Sequence, residues 1–392
     1  MTIVNERLVA ISGIGQSRIF RKPTVYPFEL AVDACIAAIQ DAGLTAADVD
    51  GIATWPGGEP GVGHGSTAAS VVDVKNSLGL KLNWYSSGRG PSQFGAIANA
   101  IGAIAAGLCN HVLCFRAEGE RWVPTYGRAF ASGELPVASG YFEWMLPYWS
   151  PSAGNWTALH ADLHMRRTGL TREQLGWIPV TQRRFAAMNE AAVYREPMTH
   201  DDYMSARMIS TPLCIYDCDV PIDGAAAVVI SRLDAARELP QKPVRFEAVG
   251  TAIYDHDSWF GRSDFPNMAM HDAAKMMWQR TDLKPSDIDT AHLYDGFSWM
   301  VVAWMEALGL TKPGETGAFI EGGQRIGLEG DLPLNTNGGQ LSEGRLHAFS
   351  HLIEAVRQLR GTAGPRQVKD AEVSVCGAGG GVYGASFLLT CA

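Results

Sequence analysis

Three things are scarce in this chain. Charge is thin: 19% of the 392 residues are charged, with 41 acidic against 32 basic and a net charge of −9. No Lys/Arg run breaks that acidic background, so a nucleic-acid surface has no basic stripe to rest on. Long apolar runs are missing too. The longest, around residues 96–108, is interrupted by Asn99 and falls short of the ~20 residues a membrane span needs. Cysteine lacks patterning: Cys35, Cys109, Cys114, Cys214, Cys218, Cys376 and Cys391 make an odd number, scattered through apolar stretches, as expected of reduced, buried thiols. Cys214 and Cys218 have no second Cys or His pair nearby, so no zinc site is expected. His256, between Asp255 and Asp257, reads as a solvated loop rather than a metal site. Residues 1–7 lack a basic segment followed by an apolar one. These absences together predict a soluble, cytoplasmic chain with no metal and no other cofactor.

What is present is core. At 46% hydrophobic, a chain of this length forms one large or two medium domains. Two glycine clusters invite a dinucleotide reading and fail it. Gly13-Ile14-Gly15 follows a strand, but Arg18 stands where the third glycine belongs; Gly377–Gly381 leads into a strand at 385–389 rather than a helix.

The order of elements repeats. A strand at 8–11 leads to a helix opened by Pro27 and stopped by Gly43, then to a strand entering Trp55 and a glycine-rich loop over 57–65. In the second half a helix over 270–280 precedes a strand at 291–294, and Leu44, Asp48 and Asp50 align with Leu283, Asp287 and Asp289. A helix at 96–108 feeds a strand at 112–115, as a helix at 353–359 feeds a strand at 372–376. Matched helix–turn–strand order predicts a duplicated α/β domain, with halves at 1–240 and 241–392. Residues 118–206 depart from the repeat and carry Trp122, Tyr126, Phe142, Trp144, Tyr148, Trp149 and Trp156. They read as an inserted lid of loops and short helices.

Five segments in order carry a family resemblance. They are Val9–Gln16, Ile222–Val229, Tyr294-Asp295-Gly296-Phe297-Ser298, Asn335-Thr336-Asn337-Gly338-Gly339 and Cys376–Gly381. The chain resembles the thiolase superfamily. Leu341-Ser342-Glu343-Gly344 and residues 354–361 look like its sterol-carrier-protein-type branch, which includes lipid-transfer proteins. The resemblance implies a duplicated thiolase fold, five-layered αβαβα, with an inserted loop domain. It also implies a homodimer acting on acyl-CoA thioesters.

The departures from the family narrow the chemistry. Thiolases hold an acyl group on a cysteine at a helix start, where the dipole favours thiolate; here that position is Gly90, in Gly88-Arg89-Gly90-Pro91-Ser92. Glycine cannot be acylated. Ser86, Ser87 and Ser92 lie nearby, and their ordinary use is in loops and caps. The thiolase Asn-Glu-Ala-Phe motif reads Tyr294-Asp295-Gly296-Phe297, which resembles the thiolase-like aldolases of steroid side-chain degradation. Retro-aldol cleavage of a β-hydroxyacyl-CoA needs a base at the hydroxyl and stabilisation of the enolate, and no covalent carrier. The resemblance then nominates Tyr294 as base, supported by Arg345 and His347. Arg345 stands where thiolases place a histidine and related aldolases a second tyrosine. His347 can exchange protons near neutrality. Cys376, matching the second thiolase cysteine, is a candidate acid, and Tyr383 could supply the missing phenol. Asp295, on alternation, would point to the other side of the strand. Gly90, Ser92, Asn335, Gly338 and Gly380 fall in the substrate and oxyanion vicinity.

The expected function is retro-aldol cleavage of a β-hydroxyacyl-CoA with a bulky, steroid-like tail. The resemblance adds a separate small OB-fold/zinc-ribbon partner forming a heterotetramer. The rival readings are an acyltransferase with a non-cysteine nucleophile and a non-catalytic thiolase-like scaffold.

Overall fold

The computed structural model describes residues 5–21, 25–57, 69–88, 90, 92–119, 142–150, 152–256 and 258–392, without the side chains of Phe142 and Trp144. The glycine-rich stretch after Gly57, and Trp122 and Tyr126 of the insertion, lie outside the described residues.

Apolar strands and helices alternate through the first half. β1 (Val9–Gln16) precedes α1 (Pro27–Asp41), whose proline occupies a first-turn position where no N–H is needed. β2 (Gly51–Thr54), α2 (Val71–Leu78), β3 (Trp84–Ser87), α3 (Gly95–Ala105) and β4 (His111–Gly119) follow. The insertion is more regular than expected. Its described part holds α4 (Ala153–Thr168) and α5 (Trp177–Ala187), helices of 16 and 11 residues, before the short ribbon β5 (Met208–Ser210) and β6 (Leu213–Cys214). β7 (Asp223–Arg232) returns to the main sheet. The second half comprises β8 (Val244–Gly250), α6 (Ala269–Trp278), β9 (Thr290–Leu293), α7 (Ser298–Ala307), α8 (Gly339–Ser342), α9 (Phe349–Arg360), β10 (Val373–Gly379) and β11 (Gly384–Cys391).

The main strands run in the order β3-β2-β4-β7-β1-β8-β11-β10-β9. Read outward from the junction of β1 and β8, the halves mirror each other: β1, β7, β4, β2 on one side and β8, β11, β10, β9 on the other. The junction itself is two residue pairs, Ala10 with Arg245 and Ile11 with Val244. Where the first half has β3, the second has a single parallel bridge from Ala291 to Leu334.

Alternation along the strands sorts side chains into layers. On β4, Leu113, Phe115 and Ala117 pack outward with α1, whereas Val112 and Cys114 pack inward with α3 and α9. The outer face of the second half packs on α6 and α7. The layers are therefore helices, sheet, the central pair α3 and α9, sheet, helices. Strands covered on both faces need near-continuous apolar sequence, and β7 has it in Ala225–Ile230. The Gly13-Ile14-Gly15 motif serves this packing. A Cβ on Gly13 or Gly15 would collide with α1 backbone at Ala38 or Ala34, so these glycines bring strand and helix together. Among the described residues no helix is long and apolar enough to cross a membrane.

Candidate active site

The inward face of β4 changes character at its end. After Val112 and Cys114 come Arg116 and Glu118, two residues apart and so on one face; both are fully buried. The Arg116 guanidinium donates to Glu118 Oε1 and, through Nη1, to the Trp55 carbonyl at 3.1 Å. It also lies over the Trp55 ring, 4.9 Å from its centroid. Glu118 Oε1 accepts from His347 Nδ1, and Arg116 Nη2 stands 3.0 Å from that same nitrogen. His347 reaches this point because it and Ala348 take left-handed backbone, φ 48° and 69°, immediately before α9. Strain of this kind in non-glycine residues concentrates at functional positions.

Tyr294 enters from the other half. β9 stops at Leu293, and Tyr294 is held just beyond it by its N–H to the Gly377 carbonyl at 3.0 Å. Its ring lies over Gly296, where a Cβ would stand 2.9 Å from the hydroxyl oxygen. Asp219 is threaded between this turn and the segment before α9. Its N–H donates to the Gly296 carbonyl at 3.1 Å, and its carboxylate accepts from Arg345 Nη1 at 3.1 Å. Asp295 follows just beyond the end of β9. It is fully buried, accepts from the Gln340 backbone N–H at 3.1 Å, and lies 2.9 Å from His351 Nε2.

Three carboxylates and two guanidiniums thus share one buried region, and they cannot all ionise cheaply there. Burial raises Glu118, but Arg116, His347 and Arg345 outweigh it and hold the carboxyl below its usual range. Asp219 goes the other way: burial, with Asp295 and Glu118 nearby, pushes it well up, against the opposing Arg345 contact. Burial also brings His347 down to about 4, with Glu118 resisting, so the ring is neutral at physiological pH. The Tyr294 phenol is raised by burial and then by Asp219, Asp295 and Glu118, with Arg116 opposing. It rests protonated and can surrender its proton only as another arrives. Such a cluster suits proton transfer at a hydroxyl and can stabilise developing negative charge through its two guanidiniums.

Comparison with known proteins agrees in scale and chemistry. Residues 251–390 match the family model described as thiolase C-terminal domain-like. A steroid side-chain-cleaving aldolase of Thermomonospora curvata is 33% identical over 90% of each chain. A 17-hydroxy-3-oxo-4-pregnene-20-carboxyl-CoA lyase of Mycobacterium tuberculosis is 31% identical over 90% of this chain and 92% of its own. The solved Ltp2-ChsH2(DUF35) aldolase superposes with a TM-score of 0.86, at 31% identity over 99% of both chains. The chain belongs to the thiolase-like aldolases. By class it is a carbon–carbon lyase.

In this aldolase the nominated residues divide. Tyr294, Arg345 and His347 gather around Glu118, each of them electrostatically coupled to its carboxylate. Cys376 stays apart: mid-β10, paired with His292 and Phe387 within the apolar core, its thiol pushed up by burial alone. Tyr383 is 40% exposed in the turn between β10 and β11. Gly380 spends its N–H on the Tyr383 carbonyl at 2.5 Å. Asn335 spends its side-chain amide on β9, donating to the Leu293 carbonyl at 2.9 Å and accepting from its N–H at 2.7 Å. Gly338 packs against Ala186 of α5. Ser92 is buried in the turn before α3, its hydroxyl accepting from the Phe94 N–H at 3.2 Å. Gly90 is exposed, with open space where a Cβ would stand.

Sequence reading missed Arg116 and Asp219, and took Glu118 only as the edge of an insertion. The signal for the first was available. An Arg-x-Glu pair closing the apolar run Val112–Phe115 places two charges on a face that should be core.

Proposed function

We propose that this aldolase cleaves the Cα–Cβ bond of a β-hydroxyacyl-CoA whose β-carbon belongs to a bulky, steroid-type skeleton, without an acyl-enzyme. The observation that carries the reading is the similarity, over nine-tenths of each chain, to relatives that bear the names of a steroid side-chain-cleaving aldolase and a steroid acyl-CoA lyase. Gly90 at the family's nucleophile position supports a reaction without a carrier, and Tyr294 among the buried ion pairs supports acid–base chemistry.

In the cleavage, Tyr294 takes the β-hydroxyl proton while passing its own onward. The oxygen lone pair becomes the ketone C=O, the Cα–Cβ pair moves onto the thioester as an enolate, and Cα is then protonated. Arg116 and Arg345 would lower the cost of the negative charge along this path. From 17-hydroxy-3-oxo-4-pregnene-20-carboxyl-CoA the atoms balance as the 17-ketosteroid plus propionyl-CoA. A small separate partner and a homodimeric core belong to the same proposal; the solved aldolase that superposes on this chain bears the names of two components.

The test is incubation of the full chain with that thioester, alone and with a co-expressed small OB-fold/zinc-ribbon partner, followed by mass spectrometry. Ketone and propionyl-CoA in equal amounts, lost in Tyr294→Phe, are expected. An acyl adduct on the protein would instead return the chain to acyl transfer.

A further inference from the structure

The two oxygens of the Glu118 carboxylate have different surroundings. Oε1 meets both the Arg116 guanidinium and His347 Nδ1, whereas Oε2 is buried with no hydrogen-bond partner among the described residues. A guanidinium only donates and a carboxylate only accepts. Nδ1 faces both groups, Arg116 Nη2 at 3.0 Å and the Glu118 carboxylate. Because Nη2 already donates to Oε1, we assign the hydrogen to Nδ1, pointing at the ionised carboxylate, since two lone pairs would repel. That leaves Nε2 with the lone pair, and no hydrogen bond reaches Nε2 among the described residues. The ring is fixed on its other sides by the Trp55 indole, with centroids 5.5 Å apart, and by the left-handed backbone at positions 347 and 348. Arg116 and Glu118 are sealed, while the His347 side chain keeps 16% of its surface. Of these three side chains, the imidazole is the one that reaches the surface.

The geometry points to Glu118 as a positioning residue that holds His347 with Nδ1 protonated, so that Nε2 accepts the proton Tyr294 relays from the substrate hydroxyl. This rests on the aldolase reading above. The proton count closes. The substrate proton goes to Tyr294 as the Tyr294 proton goes to Nε2; after cleavage Tyr294 protonates Cα, and the imidazolium restores the phenol. Glu118 offsets the transient imidazolium charge, as a buried carboxylate does for a catalytic histidine in other folds. The groups that face His347 are Glu118 and Arg116 from β4, Arg345 from the segment before α9, and the neutral Trp55 indole after β2.

The test compares wild type, Glu118→Gln, Glu118→Asp and His347→Gln on 17-hydroxy-3-oxo-4-pregnene-20-carboxyl-CoA, reading propionyl-CoA release against pH. Glu118→Gln should lower kcat by about 10–100-fold, the range seen when a partner orienting a functional histidine is removed, with KM within a few-fold. Because Glu118 holds the His347 pKa up, the acid limb should move to lower pH in that variant. Glu118→Asp should recover part of the rate. Nitrogen-15 NMR of the histidine ring should show hydrogen on Nδ1 in wild type and mixed tautomers in Glu118→Gln. An unchanged kcat and acid limb in Glu118→Gln would overturn the assignment. Should that variant not fold, His347→Gln at a rate within threefold of wild type overturns it equally. Failure of wild type to release ketone would sink the aldolase reading instead, and the NMR tautomer still decides the Glu118–His347 pairing by itself.

Discussion

The two halves share a strand order and put it to opposite uses. At the end of β4 the inward positions are Arg116 and Glu118; at the end of β10, its mirror strand, the inward position is Ala378, and Gly379 and Gly380 follow. One half ends in charge and the other in glycine backbone held close to its neighbours. A side chain at Gly379 would meet the Tyr383 carbonyl and Gln93, and one at Gly380 would meet Met270 and Met300, both at positive φ. Beyond β9 the second half adds one polar instrument, Tyr294, and lays it over Gly296 toward the charge that the first half provides. A duplicated scaffold can thus specialise one strand end for electrostatics and the other for close backbone packing. It need not change the layers that hold both.

The most severe way to break this division is at Tyr294. Tyr294→Phe keeps the ring and its packing but removes the hydroxyl, and should cost on the order of 10²–10⁴-fold in kcat with KM little changed, measured as ketone release. A KM effect alone would show that the second half contributes only shape. Arg116→Met strikes the charged end. Both partners of the Arg116–Glu118 pair are fully buried, and removing one leaves the other uncompensated, a loss of about 3–5 kcal/mol readable in urea unfolding. If stability holds, Glu118 has taken up a proton, and the halves differ less than drawn here.

A gentler probe is pH. Burial brings His347 and His160 to about 4 and His292 to about 3, whereas an unfolded histidine titrates near 6.5. Between about pH 6.5 and 4 the unfolded chain therefore binds more protons, and stability should fall as pH falls, by up to about 1.4 kcal/mol per unit for each histidine. Asp219, pushed up, opposes this in part. Thermal melts across that window check it, and a flat response would mean that these rings charge freely in the fold. The smallest effect belongs to Ser92→Ala, which removes the hydroxyl that accepts from the Phe94 N–H and should cost about 1 kcal/mol. Turnover should survive it, since the cleavage needs no acyl-serine; a collapse of turnover would restore a nucleophile to the first half.

Much of the fold was legible because its determinants are local: the proline opening α1, the apolar run of β4, and the repeated helix–strand order. Tyr294, Arg345 and His347 were legible through resemblance to a family. Asp219 was not, because its position comes from backbone pairing with Gly296 and Val220-to-Arg345 contacts that join segments far apart in sequence. The partners of Asp295, Gln340 and His351, were hidden for a related reason, since both are distant in sequence. The insertion was expected to be loops and short helices, and its longest described helix has 16 residues. Its aromatic, glycine-flanked sequence hid α4, whose role is to pack its buried Trp156 and His160 beside Trp259.

The position of β11 bears on how such a chain is made. This strand, the last of the sheet, lies between β8 and β10, and the central layer needs α9 as well as α3. During synthesis the inner face of the first half must wait, uncovered, until α9 emerges, and the second sheet cannot close until β11 does. The chain is therefore committed to late, long-range pairing, the regime in which folding is slow and aggregation competes. Deleting β11 would remove an inner strand rather than trim an edge, leaving a ribosome-released product with two unpaired strand edges and no completed middle.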